Sequence, residues 1–400
     1  MSGWQHTALG ELLVDATSGF ACGEDVENGV FQFRMNNITV DGHLDLSKRR
    51  RIPSDYRNID RYSLQAGDVL FNATNSPDLV GKTAYFPGLE EPAVFSNHFL
   101  RLRPRDSELD GRFLSRWLNL EFQRGRFKGM CHQWVNQATV GRDALLATKV
   151  PLPPLLEQQR IAEILDKADA LRAKRRVALT QLDTLTQSIF LDMFGDPTTN
   201  PKGWPATNLG ELISVGPQNG LYKPASDYGT GTPILRIDSF YDGAVTGLTN
   251  LKRLRISDEE KALYGLRPGE IIINRVNSRE YLGKSALIPA LPEPIVFESN
   301  MMRFSVDLAR INPVFLIHLL QTKHVRAHIL RSAKDAVNQS SINQQDVKGI
   351  PVILPPLLQQ ELFAERLRGL EKLSDRQRAS LMKLDVLFGS LQHRAFRGEL

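Results

Sequence analysis

The most restrictive feature of this sequence is an internal repeat. The run LQAGDVLFNATNSPDLVGKTAYF at 64–86 aligns with LRPGEIIINRVNSREYLGKSALI at 266–288 at a constant offset of 202 residues. Further along, LPPLLEQQ at 152–159 returns as LPPLLQQE at 354–361. A repeat of this length means that one structural unit occurs twice, so an interpretation of one copy has to hold for the other.

Each copy is predicted to contain a globular domain followed by a long helix. Short β-branched runs bounded by Gly, Pro, Asn and Asp indicate strands and turns, with helical patterns at, for example, 112–130 and 312–333. A Pro-Pro pair precedes the helical part of each copy, and proline is tolerated at a helix start but not in its interior. The predicted boundaries are 1–152 for the first globular domain, 153–196 for the first helix, 197–354 for the second domain and 355–400 for the second helix.

Both long helices have the apolar spacing of a coiled coil, alternating three and four residues. The predicted seam of the first helix is Ile161, Ile164, Ala168, Leu171, Arg175, Ala178, Leu182, Leu185 and Ile189, and that of the second is Phe363, Leu367, Leu370, Ser374, Gln377, Leu381, Leu384, Phe388 and Leu391. We predict an α+β fold in which two mainly β domains are joined by two antiparallel helices, with pseudo-twofold symmetry. The alternative is that each helix packs on its own globular domain.

Composition permits an acidic partner and argues against several kinds of site. The formal net charge is +5 and the pI is about 9.1, with basic clusters such as SKRRR at 47–51 and RLRPR at 101–105. Cys22 and Cys131 are the only cysteines, too few for a disulfide framework or the usual zinc site, so no metal site is predicted. The sequence has neither a signal-peptide pattern nor an apolar run that would span a bilayer, so a cytoplasmic protein is expected.

The GKT motif within NSPDLVGKTAYFPG at 75–88 resembles the end of a phosphate-binding loop, but nucleotide binding is not predicted. Such a loop requires a glycine five positions before the Gly-Lys pair, because backbone amides must wrap the phosphates. Ser76 occupies that position in the first copy and Ser278 in the second. We interpret the two stretches as equivalent turns in which Gly81 and Gly283 serve the backbone conformation.

Several motifs together resemble the specificity (S) subunit of type I restriction-modification systems. They are PLPPLLEQQRIAEILDKADAL at 151–171, ILPPLLQQELFAERL at 353–367, AFRGEL at 395–400, and the paired GDVLFN at 67–72 and GEIIIN at 269–274. The likeness covers essentially the whole chain in the order domain, helix, domain, helix. The second copy departs modestly, since Gln359-Gln360-Glu361 stands where the family often has Glu-Gln and a basic residue.

The resemblance implies a non-catalytic subunit that binds double-stranded DNA. Each globular half is expected to be a target-recognition domain for one half of a bipartite, asymmetric site, and the helices are expected to set the spacer. Two modification subunits are expected to dock on the helices and to carry S-adenosylmethionine for adenine N6-methylation. A restriction subunit that uses ATP and Mg is a further expected partner, while this chain is expected to hold no cofactor and to contact no membrane.

The residues themselves agree with a role outside catalysis. Methyl transfer to an exocyclic amine requires an Asp/Asn-Pro-Pro-aromatic loop, and both Pro-Pro pairs here are followed by leucine. No catalytic residue is therefore predicted. Two alternatives stay open: a self-contained methyltransferase or nuclease with diverged motifs, and a coiled-coil scaffold whose globular ends bind proteins. Incubation of the chain alone with DNA and S-adenosylmethionine distinguishes the first, and a lack of salt-dependent DNA affinity favours the second.

The duplication provides an internal control for candidate DNA contacts. Residues that both halves share are expected to serve the fold or phosphate contact, whereas residues that differ are expected to read bases. The shared candidates are Asn75, Ser76, Lys82 and Gln137 in the first copy and Asn277, Ser278, Lys284 and Gln339 in the second, the two lysines being candidates for phosphate contact.

The candidates that differ between the copies are Thr74 in the first and Arg275 and Arg279 in the second. Each arginine is suited to the edge of a guanine in the major groove. A surface salt bridge is an equal alternative for the arginines, and a structural hydrogen bond is the alternative for the glutamines beside Asn136 and Asn338. Trp134 is interpreted as a core residue rather than a wedge between bases.

Overall fold

The computed structural model describes residues 4–56, 59–133, 137–337 and 339–400, and it divides into two compact units. Unit 1 comprises Met1–Val177 and Arg378–Leu400, and unit 2 comprises Ala178–Gln377. The division falls within both long helices. Each unit therefore contains one globular domain together with a segment of each helix.

Unit 1 is built from short strands and three short helices before the first long helix begins, among the described residues. Its strands are β1 (Gln5–Ala8), β2 (Leu13–Ser18), β3 (Val30–Phe33), β4 (Arg51–Ile52), β5 (Val69–Asn72), β6 (Thr74–Asn75), β7 (Thr83–Tyr85), β8 (Ala93–Phe95), β9 (Phe99–Pro104), β10 (His132–Gln133), β11 (Ala138–Thr139) and β12 (Lys149–Leu152). Its helices are α1 (Gly111–Gln123), α2 (Arg126–Met130), α3 (Arg142–Leu146) and the long α4 (Leu155–Phe194), whose second part belongs to unit 2.

Unit 2 has the corresponding elements in the same order, with additional short strands and one additional short helix. Its strands are β13 (Ala206–Asn208), β14 (Ile213–Asn219), β15 (Tyr228–Leu235), β16 (Phe240–Tyr241), β17 (Gly243–Val245), β18 (Arg253–Leu254), β19 (Ile271–Asn274), β20 (Val276–Asn277), β21 (Ser285–Leu287), β22 (Val296–Phe297), β23 (Met301–Val306), β24 (Lys334–Asp335), β25 (Ser340–Ser341) and β26 (Pro351–Ile353). Its helices are α5 (Asp258–Tyr264), α6 (Pro313–Leu320), α7 (Lys323–Ser332), α8 (Gln344–Lys348) and the long α9 (Leu357–Ala395), which continues into unit 1.

The sheets of the two units have matching strand orders. In unit 1 the orders are β2-β9-β5-β7, β4-β3-β8, β10-β11-β6 and β1-β12. In unit 2 they are β14-β23-β19-β21-β17-β16, β18-β15-β22, β24-β25-β20 and β13-β26. The repeat in the sequence is therefore a repeat of topology, and the predicted α+β fold with two mainly β domains and two long helices is confirmed.

A buried glutamine in each copy explains why the LPPLL motif is followed by Gln at a fixed distance. Gln158 accepts a hydrogen bond from the backbone amide of Asp110 at 2.9 Å and donates to the carbonyl of Pro153. Gln360 repeats this arrangement with the amide of Asn312 at 2.8 Å. Asp110 and Asn312 are the N-caps of α1 and α6. Each glutamine therefore fixes the start of a long helix to the start of a domain helix.

Within each unit the two long helices run antiparallel. In unit 1 the beginning of α4, at Ile161 and Leu165, shares a core with the end of α9, at Phe388. In unit 2 the end of α4, at Phe194, shares a core with the beginning of α9, at Phe363. These shared cores also contain residues of the globular domains, so both interpretations of the helices, pairing with each other and packing on their own domain, are correct in part.

The predicted seam of α4 is wrong at two of its leucines. Leu171 is 54% exposed and Leu185 is 42% exposed. The face of α4 that is buried includes Asp169 and Arg172, which are 2% and 8% exposed. Apolar periodicity places the seam incorrectly here because ion-paired side chains occupy part of the buried face, and hydropathy treats them as surface residues.

Candidate nucleic-acid interface

Two small sheets bring together segments that the sequence separates by about 60 residues. In unit 1, β6 pairs with β11, placing Thr74 opposite Thr139 and Asn75 opposite Ala138. We call β10-β11-β6 the first small sheet. In unit 2, β20 pairs with β25, placing Asn277 opposite Ser340, and we call β24-β25-β20 the second small sheet. The candidate loop residues and the candidate glutamines therefore lie at one place in each unit.

The shared Asn-Ser pair forms the same turn in both units. The side-chain oxygen of Asn75 accepts the backbone N–H of Ser76 at 2.8 Å, and that of Asn277 accepts the N–H of Ser278 at the same distance. Asn75 is buried and also donates to Asn72 at 2.5 Å. These contacts give the asparagines a structural role, while Ser278 is exposed.

The two lysines are held inside their own units. Lys82 is 5% exposed, and its ammonium group donates to the carbonyls of Ile38 at 2.6 Å and Met35 at 3.1 Å. Lys284 donates to the carbonyl of Ile237 at 2.7 Å and lies 3.8 Å from the centroid of a tyrosine ring, that of Tyr241. Burial lowers the pKa of both ammonium groups. Phosphate contact by these lysines stays a prediction, and this geometry favours a structural role instead.

The glycines before these lysines confirm the interpretation of the GKT and GKS stretches as equivalent turns. Gly81 has φ +96° and Gly283 has φ +75°, which is the left-handed region that favours glycine. A Cβ atom at Gly81 would collide with the ring of Phe127, and one at Gly283 would collide with Ile329. Conformation and close packing therefore both require glycine at these positions.

The two candidate arginines differ in how firmly the protein holds them. The exposed Arg279 donates to the carboxylate of Asp335 on β24, so it forms the surface ion pair that was its alternative. Ser340 and then Arg279 lower the pKa of Asp335. Arg275 is half-buried, and its Nη1 donates to the carbonyl of Ser299 at 3.1 Å. Direct contact of either arginine with DNA is untested and stays a prediction.

The glutamines lie beside the small sheets and are exposed. Gln137 precedes β11, and Gln339 precedes β25. The carbonyl of Gln339 accepts the N–H of Ala336 at 2.7 Å, while both amide side chains are available at the surface. Their neighbours Asn136 and Asn338, and Trp134, lie outside the described residues.

Sequence reasoning missed the strands that complete the small sheets. β10 presents His132 and Gln133, and the corresponding β24 presents Lys334 and Asp335, all four exposed. Thr74 also shares a hydrogen bond with Thr139, with 3.1 Å between the two hydroxyl oxygens. Comparison of the two copies would have marked these four residues as candidates, because they differ at the offset of 202 and differing residues are expected to read bases.

Each small sheet follows a basic helix in the chain. Helix α2 precedes β10 and carries exposed Arg126, which pairs with Glu121 at 2.6 Å, and exposed Lys128, which pairs with Asp78 at 2.7 Å. Helix α7 precedes β24 and carries exposed Lys323 and Arg331. Positive charge beside a polar sheet edge is suited to a phosphate backbone.

Other kinds of site are not evident in the part of the chain that the structure describes. Within that part, no three His, Cys, Asp or Glu side chains come together as ligands for a metal ion. None of its helices combines the length and apolar character needed to cross a bilayer.

A comparison with protein families decides the identity of the repeat. The family model described as the type I restriction modification DNA specificity domain matches the chain twice, at residues 1–181 and 201–383. The chain belongs to this family. It is a specificity subunit of a type I restriction-modification system, and the resemblance seen in the sequence is confirmed.

Two specificity subunits of Escherichia coli are similar to this chain over most of their length. The chain is 24% identical to the EcoKI specificity subunit of Escherichia coli K12 over 384 residues, covering 92% of this chain and 82% of that protein. It is 25% identical to the EcoBI specificity subunit of Escherichia coli over 437 residues, covering 99% of this chain and 86% of that protein.

Solved structures share the fold at lower sequence identity. The S subunit of a type I restriction-modification system from M. genitalium superposes with a TM-score of 0.59 at 14% identity, covering 98% of this chain and 96% of that one. A chain from a structural study of complex assembly and conformational transition in a type I system gives a TM-score of 0.61 at 19% identity, covering 100% and 99%.

Proposed function

We propose that each globular domain of this specificity subunit reads one half of a bipartite DNA site through its small sheet. The observation that carries the proposal is that one strand arrangement occurs twice with different exposed side chains. A shared backbone with different side chains suits two domains that dock on DNA in the same way but discriminate different bases.

The side chains that differ are of the types that read base edges. The first small sheet offers Thr74 and Gln133, while the second offers Lys334 and, from the loop after β20, Arg279. Arginine and lysine pair with guanine, glutamine pairs with adenine, and threonine contacts the thymine methyl group or a polar edge. Arg279 would exchange its partner Asp335 for a base, which costs little because surface ion pairs contribute about 0–1 kcal/mol.

The long helices are proposed to dock two modification subunits, one on each unit. Equivalent leucines are exposed in both copies: Leu156 and Leu358, Leu171 and Leu373, and Leu185 and Leu387, with exposures between 41% and 81%. Unit 1 carries Leu156, Leu171 and Leu387, and unit 2 carries the matching set. These leucines are proposed to contribute to a protein interface, because a set of exposed apolar residues that occurs twice fits two copies of one partner.

Chemistry is proposed to reside on the partners. The modification subunits would supply S-adenosylmethionine for adenine N6-methylation, and a restriction subunit would supply ATP- and Mg-dependent activity. The chain itself would contribute recognition and the distance between half-sites, which the long helices α4 and α9 would set. These helices have 40 and 39 residues, or about 60 Å at 1.5 Å per residue.

The test is single-molecule mapping of N6-methyladenine in cells that express the chain with its modification partner, compared with the partner alone. We expect a new bipartite motif with a fixed spacer and methylated adenines on opposite strands. Methylation that is the same without the chain, or a contiguous motif, would contradict the proposal. Methylation by the purified chain alone would instead support a self-contained enzyme.

A further inference from the structure

One arginine occurs at the same place in both units but has a carboxylate partner in only one. Arg34 follows β3 and Arg236 follows β15, at the repeat offset of 202. The neighbouring segment is placed identically, since the N–H of Ser96 donates to the carbonyl of Phe33 at 2.9 Å in unit 1. In unit 2 the N–H of Glu298 donates to the carbonyl of Leu235, the residue before Arg236, at 3.1 Å. Ser96 and Glu298 therefore occupy equivalent positions beside the two arginines.

In unit 2 the arginine is neutralised internally. The Nε of Arg236 lies 3.2 Å from the carboxylate of Glu298, and the other oxygen of Glu298 accepts the N–H of Ile237 at 2.7 Å. Glu298 is 8% exposed, so its charge requires this partner. Arg236 is thus part of the structure of its own domain.

In unit 1 the acid is replaced by Ser96, and the arginine is left available. The Ser96 hydroxyl is buried and has no hydrogen-bond partner within the described residues. Arg34 is exposed, and its guanidinium makes no ion pair or side-chain hydrogen bond in residues 4–56, 59–133, 137–337 and 339–400. The fold of unit 1 therefore does not use the charge for which unit 2 provides a partner.

The available arginine lies next to the first small sheet. His98, two residues after Ser96, accepts the backbone N–H groups of Ala73 at 2.9 Å and Thr74 at 3.2 Å through its carbonyl. Burial, and then the positive charge of Arg34, lower the pKa of the His98 imidazole. His98 therefore connects Arg34 to the first small sheet, because its imidazole is within electrostatic range of Arg34 and its carbonyl accepts the N–H of Thr74.

An exposed arginine is often only a solvated surface charge. Two observations distinguish Arg34 from that case. Its equivalent in the other copy is a partnered structural residue, and its own position adjoins the strand that the proposed function assigns to base reading. A guanidinium with five donors and no internal acceptor is suited to phosphate oxygens or to the edge of a guanine.

We propose that Arg34 contacts DNA in the first domain. The second domain has no equivalent contact, because Glu298 forms an ion pair with Arg236, the equivalent arginine. The proposal rests on the proposed function, because it requires the first small sheet to face DNA. It makes the two domains unequal: the first uses the charge at this position for DNA, and the second uses it for its own fold.

The experiment measures DNA binding by the full chain in complex with its modification partner. The probes are a duplex that carries the bipartite motif found by methylation mapping and a scrambled duplex, each at several salt concentrations. We expect Arg34→Ala to weaken binding to the motif about tenfold to a hundredfold. Arg105→Ala is the matched control, because Arg105 is also exposed in unit 1 but pairs with Glu108 at 3.1 Å.

The pattern of the loss identifies the atom contacted. A phosphate contact predicts weaker binding to both duplexes. It also predicts that the slope of the logarithm of the binding constant against the logarithm of the salt concentration falls in magnitude by about one. A guanine contact predicts a loss confined to the motif duplex and relaxed methylation at one position of the first half-site. Equal binding by Arg34→Ala and the Arg105→Ala control overturns the assignment of Arg34 while leaving the proposed function intact. A wild-type complex without salt-dependent affinity overturns both.

A second variant tests the role of the Arg34 charge by giving the guanidinium an internal partner instead of removing it. Ser96→Glu places in unit 1 the carboxylate that unit 2 contains, and it is expected to reduce DNA affinity as Arg34→Ala does. Because Ser96 is buried, thermal unfolding of the variant is measured first. In a folded Ser96→Glu protein, unchanged affinity would contradict the proposal, and Arg34→Ala, at an exposed position, gives the answer if Ser96→Glu does not fold.

Discussion

In unit 1 a buried ionic network adds to the apolar contacts between the long helices and the globular domain, whereas in unit 2 a larger cluster of aromatic rings lies at this junction. In unit 1, Asp169 of α4 is 2% exposed. Three cationic or imidazole nitrogens surround its carboxylate, from Arg116 at 2.7 Å, Arg172 at 2.8 Å and His43 at 3.0 Å. Arg172 extends the network to Asp385 of α9 at 2.7 Å.

In unit 2 the long helices meet the globular domain at a cluster of rings, of which Phe315 and Phe194 are the repeat equivalents of the ring pair Phe113 and Phe396 in unit 1. Phe363 of α9 packs against Phe194 and Phe190 of α4, with centroid distances of 5.3 and 5.6 Å. Phe315 of α6 completes the cluster, 4.7 Å from Phe194. His318 lies edge-on to Phe363 at 5.4 Å and is the repeat equivalent of Arg116.

The two units therefore share their backbone arrangement and the positions that are buried. They differ in the types of side chain that lie between the long helices and the globular domain. A buried ionic network is stable only while each charge has its partner, because desolvation of an unpaired ion costs several kcal/mol. An aromatic cluster depends instead on volume and contact. The two junctions should therefore respond to different perturbations.

The largest effect is expected from removal of the charge at the centre of the ionic junction. Asp169→Asn leaves Arg116 and Arg172 facing a neutral amide, and we expect unit 1 to lose about 3–5 kcal/mol of unfolding free energy. Denaturant unfolding followed by circular dichroism measures the loss. The control is Asp166→Asn, since Asp166 also pairs with Arg116 but is 37% exposed in its side chain and should cost less. A loss below about 1 kcal/mol for Asp169→Asn would contradict the importance of the network.

Mild acid is expected to have a smaller effect, and to reduce the stability of unit 2 rather than that of unit 1. Burial lowers the pKa of His318 to about 4 from its ordinary 6.5, so the neutral imidazole is the form that the aromatic junction favours. The stability that depends on this neutrality is complete above pH 6.5 and is lost as the pH falls toward 4. At about pH 5 we expect a loss of roughly 2 kcal/mol in unit 2, which His318→Phe should abolish.

The ionic junction should be less sensitive over the same interval. Burial alone would raise the pKa of Asp169, but His43 and Arg116 lower it well below its usual range. This carboxylate contributes stability above the ordinary value of 3.8, and the contribution is lost only as the pH falls below that value. Thermal unfolding of wild type and His318→Phe at pH 7 and pH 5 measures the difference, and an equal acid sensitivity of the two proteins would refute the assignment to His318.

The smallest effect is expected at the edge of the ionic junction. Arg112 is 38% exposed in its side chain and lies 3.3 Å from Asp110 and 4.0 Å from Asp166. Arg112→Ala should cost less than about 1 kcal/mol, because water already solvates the pair and screens it. If this substitution destabilised the chain as much as Asp169→Asn, burial would not be what distinguishes strong from weak pairs in this junction.

The repeat in the sequence was sufficient to predict the fold, but not the chemistry of its surfaces. Two copies of one pattern fixed the order of domain and helix, and Pro-Pro pairs marked where each long helix starts. The predicted seam of α4 was wrong at Leu171, because the adjacent Arg172 is the buried residue. Its burial depends on ion pairs with residues that are remote in sequence, such as Asp385.

The candidate site was predictable only in part for a similar reason. The Gly81 and Gly283 turns follow from local sequence. The burial of Lys82 and the pairing of Arg279 with Asp335 do not, because each depends on a partner more than 40 residues away. The meeting of β6 with β11 is likewise a long-range pairing that local patterns do not encode.

The discontinuity of unit 1 has a consequence for how the protein is made. Ala178–Gln377 forms unit 2 as one continuous stretch, so all of its parts have been synthesised before residue 378 is added. Unit 1 has to wait, because Phe388 and Ala395 belong to its core and Phe396 packs 5.3 Å from Phe113. The domain that is synthesised first is therefore completed second, and until then a nascent chain exposes the core surface that α9 will cover.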